Sequence, residues 1–248
     1  MQISDIGQRK KVLQSQLLLR QDGVEHFSST KGTECADEGV WMPKQVHGTN
    51  IVEVRRDDVV TDGKHWPKAT EIQADAVITN IDGEWIGVHT ADCVPVLLYD
   101  PVKRVVAAVH AGWRGTVKHI VALTIRAMRE RFGCVANDLY AVVGPSISPE
   151  RFEVGQEVAD EFAAAGRAEC IIGQYRKPHI DLWQSNVMDM LEEGMDIGQI
   201  DCTPLCTMAE ADLLYSARRE GIGTGRIVTA IRLTPAHGTP AEASQPRA

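Results

Sequence analysis

Three short segments of the sequence place histidine, cysteine and carboxylate side chains next to glycines or turns. "KQVHGTN" carries His47, "HTADC" carries Asp92 and Cys93, and "VHAGWRGT" carries His110. Each segment lies where a predicted strand meets a turn, a position from which a rigid frame can present functional groups. Imidazole nitrogen and cysteine sulfur are the ligands that zinc prefers. His47, Cys93 and His110 are therefore candidate ligands of one zinc ion.

Three protein ligands leave a fourth coordination position open for water, which is the arrangement of a catalytic zinc site. Asp92 is next to Cys93 and could accept or shuttle a proton of that water. The same residues also allow chemistry without a metal, with Cys93 as a nucleophile that His47 or His110 activates. Both mechanisms need a thiolate close to an imidazole, so the sequence alone leaves the two open.

Each of these residues also has an ordinary structural explanation. A single cysteine beside an apolar strand is more often a small core residue, and a single aspartate often caps a turn. The combination of several polar groups favours the functional interpretation. His89 shares one face of its strand with Cys93 and is predicted to support the site or pack in the core. The remaining histidines are predicted to lie on the surface or on helices: His26, His65, His119, His179 and His237.

Two arginines beside glycines are candidates for binding an anion such as phosphate. Arg114 lies in "GWRGT", where glycines let the backbone approach a ligand and a predicted helix begins, whose N–H groups favour negative charge. Arg218 lies in "YSARREGIGTGR", next to a second group of glycines. A guanidinium group can bind phosphate or carboxylate through two parallel hydrogen bonds. A structural turn with a salt-bridged or solvated arginine explains the same pattern, so both explanations stay open.

The elements that must hold these residues follow from hydrophobic periodicity. Strands are predicted where apolar residues alternate or form short runs between turn residues, and helices where they recur every three to four positions. The predicted strands span 50–56, 74–80, 84–90, 93–100, 104–112, 138–148 and 226–234. The predicted helices span 116–133, 154–166 and 181–195, with Asp181 as a candidate N-cap.

Strands paired as hairpins and interleaved with helices predict an α+β fold rather than a regular parallel α/β sheet. A tight turn at "IDG" is predicted to pair 74–80 with 84–90, and a turn at Pro101 to pair 93–100 with 104–112. No linker divides the chain, so one catalytic domain is predicted over residues 1–234. The Pro- and Ala-rich residues 235–248 are predicted to form a disordered tail.

The composition argues against several classes of protein. The chain has 248 residues, of which 44% are hydrophobic, enough for one large domain. A formal net charge of -8 without a basic stripe argues against a nucleic-acid binder. No stretch is long and apolar enough to span a membrane, and no signal peptide is evident, so a cytoplasmic location is predicted. The six dispersed cysteines are then expected to be thiols.

Seven segments, in this order, resemble the motifs of the YfiH-like family. This family is also called the multicopper polyphenol oxidase or laccase-domain family, and its members are described as purine nucleoside phosphorylases. The segments are "KQVHG", "ADAVITN", "HTADCVPVLLYD", "VHAGWRGT", "GPSISPERFEVG", "DCT" and "YSARREGIGTGR". They fall within residues 41 to 233. "TADC" followed by "HAGWRG" at this spacing is specific, whereas an isolated glycine motif is not.

The resemblance implies a four-layer α/β/β/α sandwich with mixed sheets, similar to cysteine-hydrolase-type domains. It implies a zinc site formed by the histidine of "QVHG", the cysteine of "ADC" and the histidine of "HAGWRG", here His47, Cys93 and His110. The implied activities are phosphorolysis of adenosine, inosine, guanosine and methylthioadenosine, and deamination of adenosine. Purine nucleosides and phosphate are the implied small-molecule partners, and a monomer or homodimer is expected.

The laccase name implies copper and the oxidation of phenols. Zinc is favoured over copper, because the ligands present suit one zinc ion and multicopper oxidases require many more histidines. A metal-free Cys-His hydrolase or amidase and a noncatalytic metal-binding module remain alternatives. The sequence departs from the family pattern in a shortened stretch before "QVHG", at Lys31, where arginine is usual, at Phe152, where tyrosine is common, and at Ala217, where an aromatic residue is usual. These departures leave the preferred substrate open.

Overall fold

The computed structural model describes residues 1–33, 36–55, 72–202 and 204–235. The predicted tail from residue 236 onwards lies outside the described residues, and so do Cys35, His65 and His237. The five described cysteines are free thiols, as expected.

Fourteen strands run through the described residues. The first seven are β1 (Gln2–Ile6), β2 (Arg9–Gln14), β3 (Val24–Ser28), β4 (Val40–Trp41), β5 (Ile51–Val54), β6 (Ala76–Thr79) and β7 (Trp85–Thr90). The others are β8 (Val94–Asp100), β9 (Val105–Ala111), β10 (Tyr140–Val143), β11 (Ile171–Ile172), β12 (His179–Ile180), β13 (Ile200–Asp201) and β14 (Ile227–Leu233).

Six α-helices accompany these strands in the described residues. They are α1 (Gln16–Leu19), α2 (Trp113–Val117), α3 (Ile120–Phe132), α4 (Gln156–Ala164), α5 (Leu182–Glu192) and α6 (Ala217–Glu220). Short 3-10 helices span Ala136–Asp138, Ala168–Cys170 and Ile197–Gln199. No helix within the described residues combines the length and apolarity needed to cross a membrane.

The strands form two six-stranded sheets and a small two-stranded one. The first sheet has the order β1-β2-β3-β14-β7-β4, and the second has the order β13-β10-β8-β9-β6-β5. Most neighbours are antiparallel, but β4–β7, β5–β6 and β10–β13 are parallel. The prediction of an α+β fold with mixed sheets is therefore confirmed.

The two large sheets pack face to face around a buried apolar layer. Ile86 and Ile231 of the first sheet meet Leu97 and Val106 of the second. Because successive side chains of a strand point to opposite faces, the residues between them face the other way. On its opposite face, the second sheet packs against α3, α4 and α5. Val96 and Val109 of the sheet belong to this cluster together with Ile125, Met128 and Phe162 of the helices.

The outer face of the first sheet is covered differently in the described residues. Phe27, Trp85 and Val228 form a small cluster with partly buried loop residues such as Met42. The guanidinium of Arg9 lies over the Phe27 ring, 5.0 Å from its centroid. The helical fourth layer on this side, and the relation to cysteine-hydrolase-type domains, stay predictions.

The predicted hairpin at "IDG" is wrong, although both strands exist. β6 pairs with β5 and β9 in the second sheet, whereas β7 pairs with β14 and β4 in the first. The turn residue Asp82 forms a bridge with Leu233, at the end of β14. The turn at "IDG" therefore connects the two sheets and does not close a hairpin. A local turn motif cannot show this, because strand pairing depends on partners distant in sequence. The hairpin of β8 and β9 is confirmed.

The helix predicted over 116–133 is interrupted. α2 begins earlier, at Trp113, and α3 begins at Ile120 after His119 adopts a left-handed φ of 58°. His119 Nδ1 lies 2.8 Å from Oδ1 of the buried Asp189 on α5, which fixes the break through a tertiary contact. The C-terminal cap at Gly133 and the N-cap at Asp181 are confirmed.

The sequence analysis assigned no strands to the first 49 residues, where the structure has β1 to β4. It also predicted surface or helical positions for His26 and His179, and both predictions are wrong. His26 lies in β3 and His179 in β12, and both are buried. His26 Nε2 accepts a hydrogen bond of 2.8 Å from the backbone N–H of Ser15, which compensates for its burial.

Candidate metal centre

His47 lies in the loop between β4 and β5 and is held through its backbone. Its φ of 58° falls in the left-handed region, which residues other than glycine rarely adopt. The backbone N–H groups of Val46, His47 and Gly48 donate to the carboxylate of Asp75 at 3.3, 2.9 and 2.7 Å. Asp75 therefore fixes the turn that presents the His47 side chain.

His110 lies in β9, opposite Pro95 of β8, and is 3% exposed. Its Nδ1 is 2.9 Å from Asp75 Oδ1. A carboxylate at this nitrogen favours the tautomer with a proton on Nδ1, which leaves Nε2 available as a ligand. One fully buried carboxylate, Asp75, thus orients both histidines of the site.

Cys93 directly precedes β8 and is partly exposed. The residue before it, Asp92, has a φ of 97°, so the chain turns sharply just before the thiol. The ligand atoms of His47, Cys93 and His110 all lie within 4.8 Å of one another. The structure therefore brings together the three residues that the sequence analysis predicted as metal ligands.

Gly112 allows this close approach. A Cβ atom on Gly112 would lie 3.2 Å from His47 Cδ2, 3.3 Å from Cys93 Sγ and 3.5 Å from His110 Cε1. The first two distances are tighter than ordinary van der Waals contact, so a side chain here would push the cluster apart. The glycine of "HAGWRG" is therefore needed for packing against all three candidate ligands.

The clustered side chains shift one another's protonation. Burial alone would raise the pKa of the Cys93 thiol, but the charge of His110 and hydrogen bonds from His110 and His47 lower that pKa to about 6. Burial alone would lower the pKa of His110, but the Cys93 thiolate and Asp75 raise it to about 9. Before a metal binds, the Cys93 thiolate and the protonated His110 stabilise each other at neutral pH, and a metal ion would replace the proton on His110 Nε2. The thiolate is the form that binds metals and attacks electrophiles.

The sequence analysis missed two residues that position this site. Asp75 begins the apolar run of "ADAVITN", and a carboxylate entering a buried strand needs polar partners, which is a signal that could have identified it. Gln45 is the second: its Nε2 donates to the carbonyl of His89 and its Oε1 accepts from the N–H of His89, both at 2.8 Å. No sequence signal separates Gln45 from a surface glutamine.

Asp92 is hydrogen-bonded away from the cluster. The Thr207 hydroxyl donates to Asp92 Oδ1 and the backbone N–H of Arg218 donates to Oδ2, both at 2.6 Å. Asp92 therefore joins the β7–β8 connection to the start of α6. Each carboxylate oxygen accepts one of these hydrogen bonds and keeps a second lone pair, so the predicted role of Asp92 in proton transfer stays a prediction.

Arg114 and Arg218 do not reach the three candidate ligands. Arg114 is exposed, and its guanidinium lies 4.3 Å from the ring centroid of Trp113. Arg218 Nη1 donates to the carbonyl of Glu153 at 2.9 Å. Arg218 instead lines a second cavity of about 440 Å3, together with Trp113 and Phe152.

The three candidate ligands line a first cavity of about 850 Å3, within the range of small-molecule binding sites. Part of its wall is apolar and is formed by Met42, Pro43, Ala91 and Ile222. Ile222 is 88% exposed, so the rim of the cavity carries an apolar side chain in contact with solvent. The wall also carries hydrogen-bonding side chains, namely Lys44, Gln45, His89 and Arg226.

His89 lies in the wall of this cavity and outside the group of three ligands. Burial lowers the pKa of its imidazole, with a further contribution from the charge of Arg226 opposing that of Asp37. A neutral imidazole can donate one hydrogen bond and accept another. Its backbone is fixed by Gln45, so His89 supports the cavity wall.

Comparison with known proteins adds independent information. The family model described as "Multi-copper polyphenol oxidoreductase laccase" matches residues 24–234. A protein of Bacteroides thetaiotaomicron named "Purine nucleoside phosphorylase" is 39% identical over 207 residues, which are 82% of this chain and 76% of that protein. "Adenosine deaminase RL5", from an unknown prokaryotic organism, is 36% identical over 194 residues, covering 77% of this chain and 73% of that protein. The crystal structure of the Bacillus licheniformis hypothetical protein YfiH matches with a TM-score of 0.71 and 28% identity, covering 79% and 74% of the two chains.

Proposed function

The chain belongs to the multi-copper polyphenol oxidoreductase laccase family, and we propose that it is a purine nucleoside phosphorylase that acts in the first cavity. The name of the Bacteroides relative supports this reaction. We expect adenosine, inosine, guanosine and methylthioadenosine as nucleoside substrates and inorganic phosphate as the second substrate.

One structural observation carries the proposal. His47, Cys93 and His110 converge within 4.8 Å at the wall of a cavity of about 850 Å3, which has room for a nucleoside. Convergent polar groups of different chemistry in a partly apolar pocket are typical of an active site.

The donor set fits one zinc ion. Two imidazoles and a thiolate are zinc ligands, the surroundings of Cys93 favour its thiolate, and Asp75 leaves His110 Nε2 available. We propose that His47, Cys93 and His110 hold the ion. When bound, zinc would supply Lewis-acid polarisation of a substrate atom.

Phosphorolysis exchanges one bond at C1′ of the ribose for another. A phosphate oxygen forms a bond to C1′ while the bond from C1′ to purine N9 breaks, and the purine leaves with the bonding electrons and takes up a proton. The products are the free purine and ribose 1-phosphate.

Within this chain, Met42, Pro43 and Ile222 would pack against the base, and Gln45 and Asp75 would keep the wall in place. We propose that Asp92 anchors α6 through its hydrogen bonds with the Thr207 hydroxyl and the backbone N–H of Arg218.

A nucleoside panel tests this function. The purified protein is incubated with each nucleoside, with and without phosphate, and the products are separated by chromatography. Free base and ribose 1-phosphate that appear only with phosphate are the expected result. Metal content is measured on the same sample, and about one zinc per chain is expected. Stoichiometric copper with oxidation of a phenol would instead favour the laccase reaction.

Adenosine deamination is a second candidate activity, which the name of the RL5 relative favours. This reaction adds water at purine C6 and releases ammonia, so adenosine would give inosine without consuming phosphate. The same panel separates the two activities, because deamination leaves the glycosidic bond intact.

One observation supports the alternative mechanism, in which Cys93 acts without a metal. The lowered pKa of Cys93 would make its thiolate a nucleophile in the absence of a metal. Chelation separates the two mechanisms. Activity that falls on zinc removal and returns with zinc supports the metal centre, whereas unchanged activity of zinc-free protein supports the metal-free hydrolase.

A further inference from the structure

The charge of the first cavity differs from that of the whole protein. The chain has a formal net charge of -8. The described residues lining the first cavity nevertheless include two cations, Lys44 and Arg226, and no carboxylate. The Cys93 thiolate of this wall is balanced by the protonated His110 beside it, so the two cations give the wall a net positive charge, and such a wall concentrates ligands of the opposite sign. This wall therefore favours an anion.

The topology places the two cations on opposite sides of one strand. β7 is paired with β4 on one side and with β14 on the other. Lys44 follows β4, and Arg226 directly precedes β14, whose Ile227 lies opposite Thr90. Strands are spaced by roughly 4.8 Å, so β4 and β14 lie about 10 Å apart across β7. Beyond β4 the Lys44 backbone pairs with Gln73, and the neighbouring Gln45 reaches His89 through its side chain. Two long side chains can converge on one small anion across that gap.

Both cations are mounted on backbone that the structure holds firmly. The Gln45 side chain binds the backbone of His89 at both ends of its amide, which fixes the segment carrying Lys44. The Arg226 guanidinium donates three hydrogen bonds, to the carbonyls of Ile222, Thr224 and Gly225. A guanidinium has five N–H donors, so two remain available for a ligand.

Among the described residues, the ion pair at the first cavity joins His110 to Asp75 and involves neither of the two cations. Within the described part of the chain, neither Lys44 nor Arg226 forms a salt bridge, whereas Lys31 is paired with Glu220 and Lys177 with Glu153. A cation beside a cavity and without an acidic partner in the fold is available for an anionic ligand.

We infer that Lys44 and Arg226 bind the phosphate substrate in the first cavity. The inference rests on the proposed phosphorylase function. It places phosphate next to the three candidate metal ligands, and not beside Arg114 and Arg218, which lie at Trp113 and the second cavity. It also gives the chain a way to bring phosphate and nucleoside into one cavity.

Steady-state kinetics with inosine and phosphate tests the inference. Lys44→Met and Arg226→Met are each expected to raise the KM for phosphate by about 10- to 100-fold, the effect of losing a charge-assisted hydrogen bond. The KM for inosine at saturating phosphate is expected to change less than about threefold. Lys44→Arg keeps the charge and should restore most of the phosphate affinity.

A matched control is Lys103→Met. Lys103 is an exposed lysine in the turn between β8 and β9, whereas Cys93 and His110 lie at the other end of that hairpin, roughly 20 Å away for a strand of this length. Lys103→Met removes the same charge as Lys44→Met and should leave the KM for phosphate unchanged. Thermal unfolding of each variant verifies that it is folded.

Two results would overturn the inference. One is an unchanged KM for phosphate in folded Lys44→Met and Arg226→Met. The other is a rise in that KM in Arg114→Met or Arg218→Met alone. Calorimetric titration with inorganic phosphate separates this inference from the proposed function. If the wild type cleaves no nucleoside but binds phosphate, and Lys44→Met abolishes that binding, the anion site stands and the phosphorylase function fails.

Discussion

The two cavities lie on either side of α6 and use charge in different ways. Ala217 lines the first cavity, and the next residue, Arg218, lines the second. In the second cavity Arg218 binds the Glu153 carbonyl, and Lys177 lies 2.8 Å from a Glu153 carboxylate oxygen. In the first cavity, within the described residues, the cations face no carboxylate and three ligand atoms converge.

This contrast between the cavities indicates which charged groups are available to a ligand. A charged group that is already paired within the fold is used for structure, and an exposed pair adds little to the free energy of unfolding. Polar groups that the fold orients but leaves without a partner are available to a ligand. Both cavities carry an arginine that donates to backbone carbonyls, but the carboxylate of Glu153 lines the second cavity, whereas the described residues that line the first include no carboxylate.

The largest effect is expected for Cys93→Ala. Losing a ligand should reduce zinc content to background and lower kcat/KM more than the roughly 100-fold expected for loss of an outer partner. Metal analysis and steady-state kinetics measure both quantities. Cys202→Ala removes a thiol outside the cluster and serves as the control. Full zinc content in Cys93→Ala would contradict the assignment of the first cavity as a metal centre.

Asp75→Asn is expected to have the next largest effect. The amide keeps the size of the side chain but loses the charge that orients His110 and holds the backbone of His47 and Gly48. Zinc affinity, measured by competition with a chelator, should fall roughly 10- to 100-fold. The variant tests positioning separately from ligation, since all three ligands remain. An unchanged zinc affinity would mean that the histidines hold their places without Asp75.

Asp92→Asn tests the wall between the two cavities. If Asp92 anchors α6, the free energy of unfolding should fall by about 1–3 kcal/mol, the value of a hydrogen bond to a charged group. kcat should fall less than about tenfold, with an unchanged pH profile. Thr207→Val removes one of the same hydrogen bonds and should give a smaller loss of stability. A collapse of kcat at full stability would instead identify Asp92 as a proton-transfer group.

The smallest effect on activity is expected from His26, which lines neither cavity and acts through the pH dependence of stability. Burial lowers the pKa of His26 from 6.5 to about 4, partly offset by Asp201. Because the unfolded chain binds this proton more readily, the stability due to neutral His26 is complete above pH 6.5 and is lost as the pH falls towards 4. The expected loss is up to about 3 kcal/mol. Urea unfolding at several pH values measures it, and in His26→Gln this part of the slope should disappear. An identical slope in that variant would assign the effect to other groups.

Most of the elements around the site were predictable from local pattern. The short apolar runs at β8 and β9 and the caps at Gly133 and Asp181 depend on neighbouring residues, and all were predicted correctly. The break at His119 was not, because the partner of His119 is Asp189, 70 residues away. The sheet to which β7 belongs was not predictable either, because β14 lies more than 130 residues further along the chain.

The chemistry available at the site was readable from the amino-acid sequence: two histidines and a thiol, each beside a turn, in motifs specific enough to identify the family. Residue type and local spacing carry that information. The tertiary structure decided which polar groups serve those residues. Asp75 reaches His110 because β6 pairs with β9, and it reaches the turn of His47 because β6 also pairs with β5. Lys44 and Arg226 line one cavity because β4 and β14 flank β7. Such contacts join residues distant in the chain, and strand pairing alone brings them together.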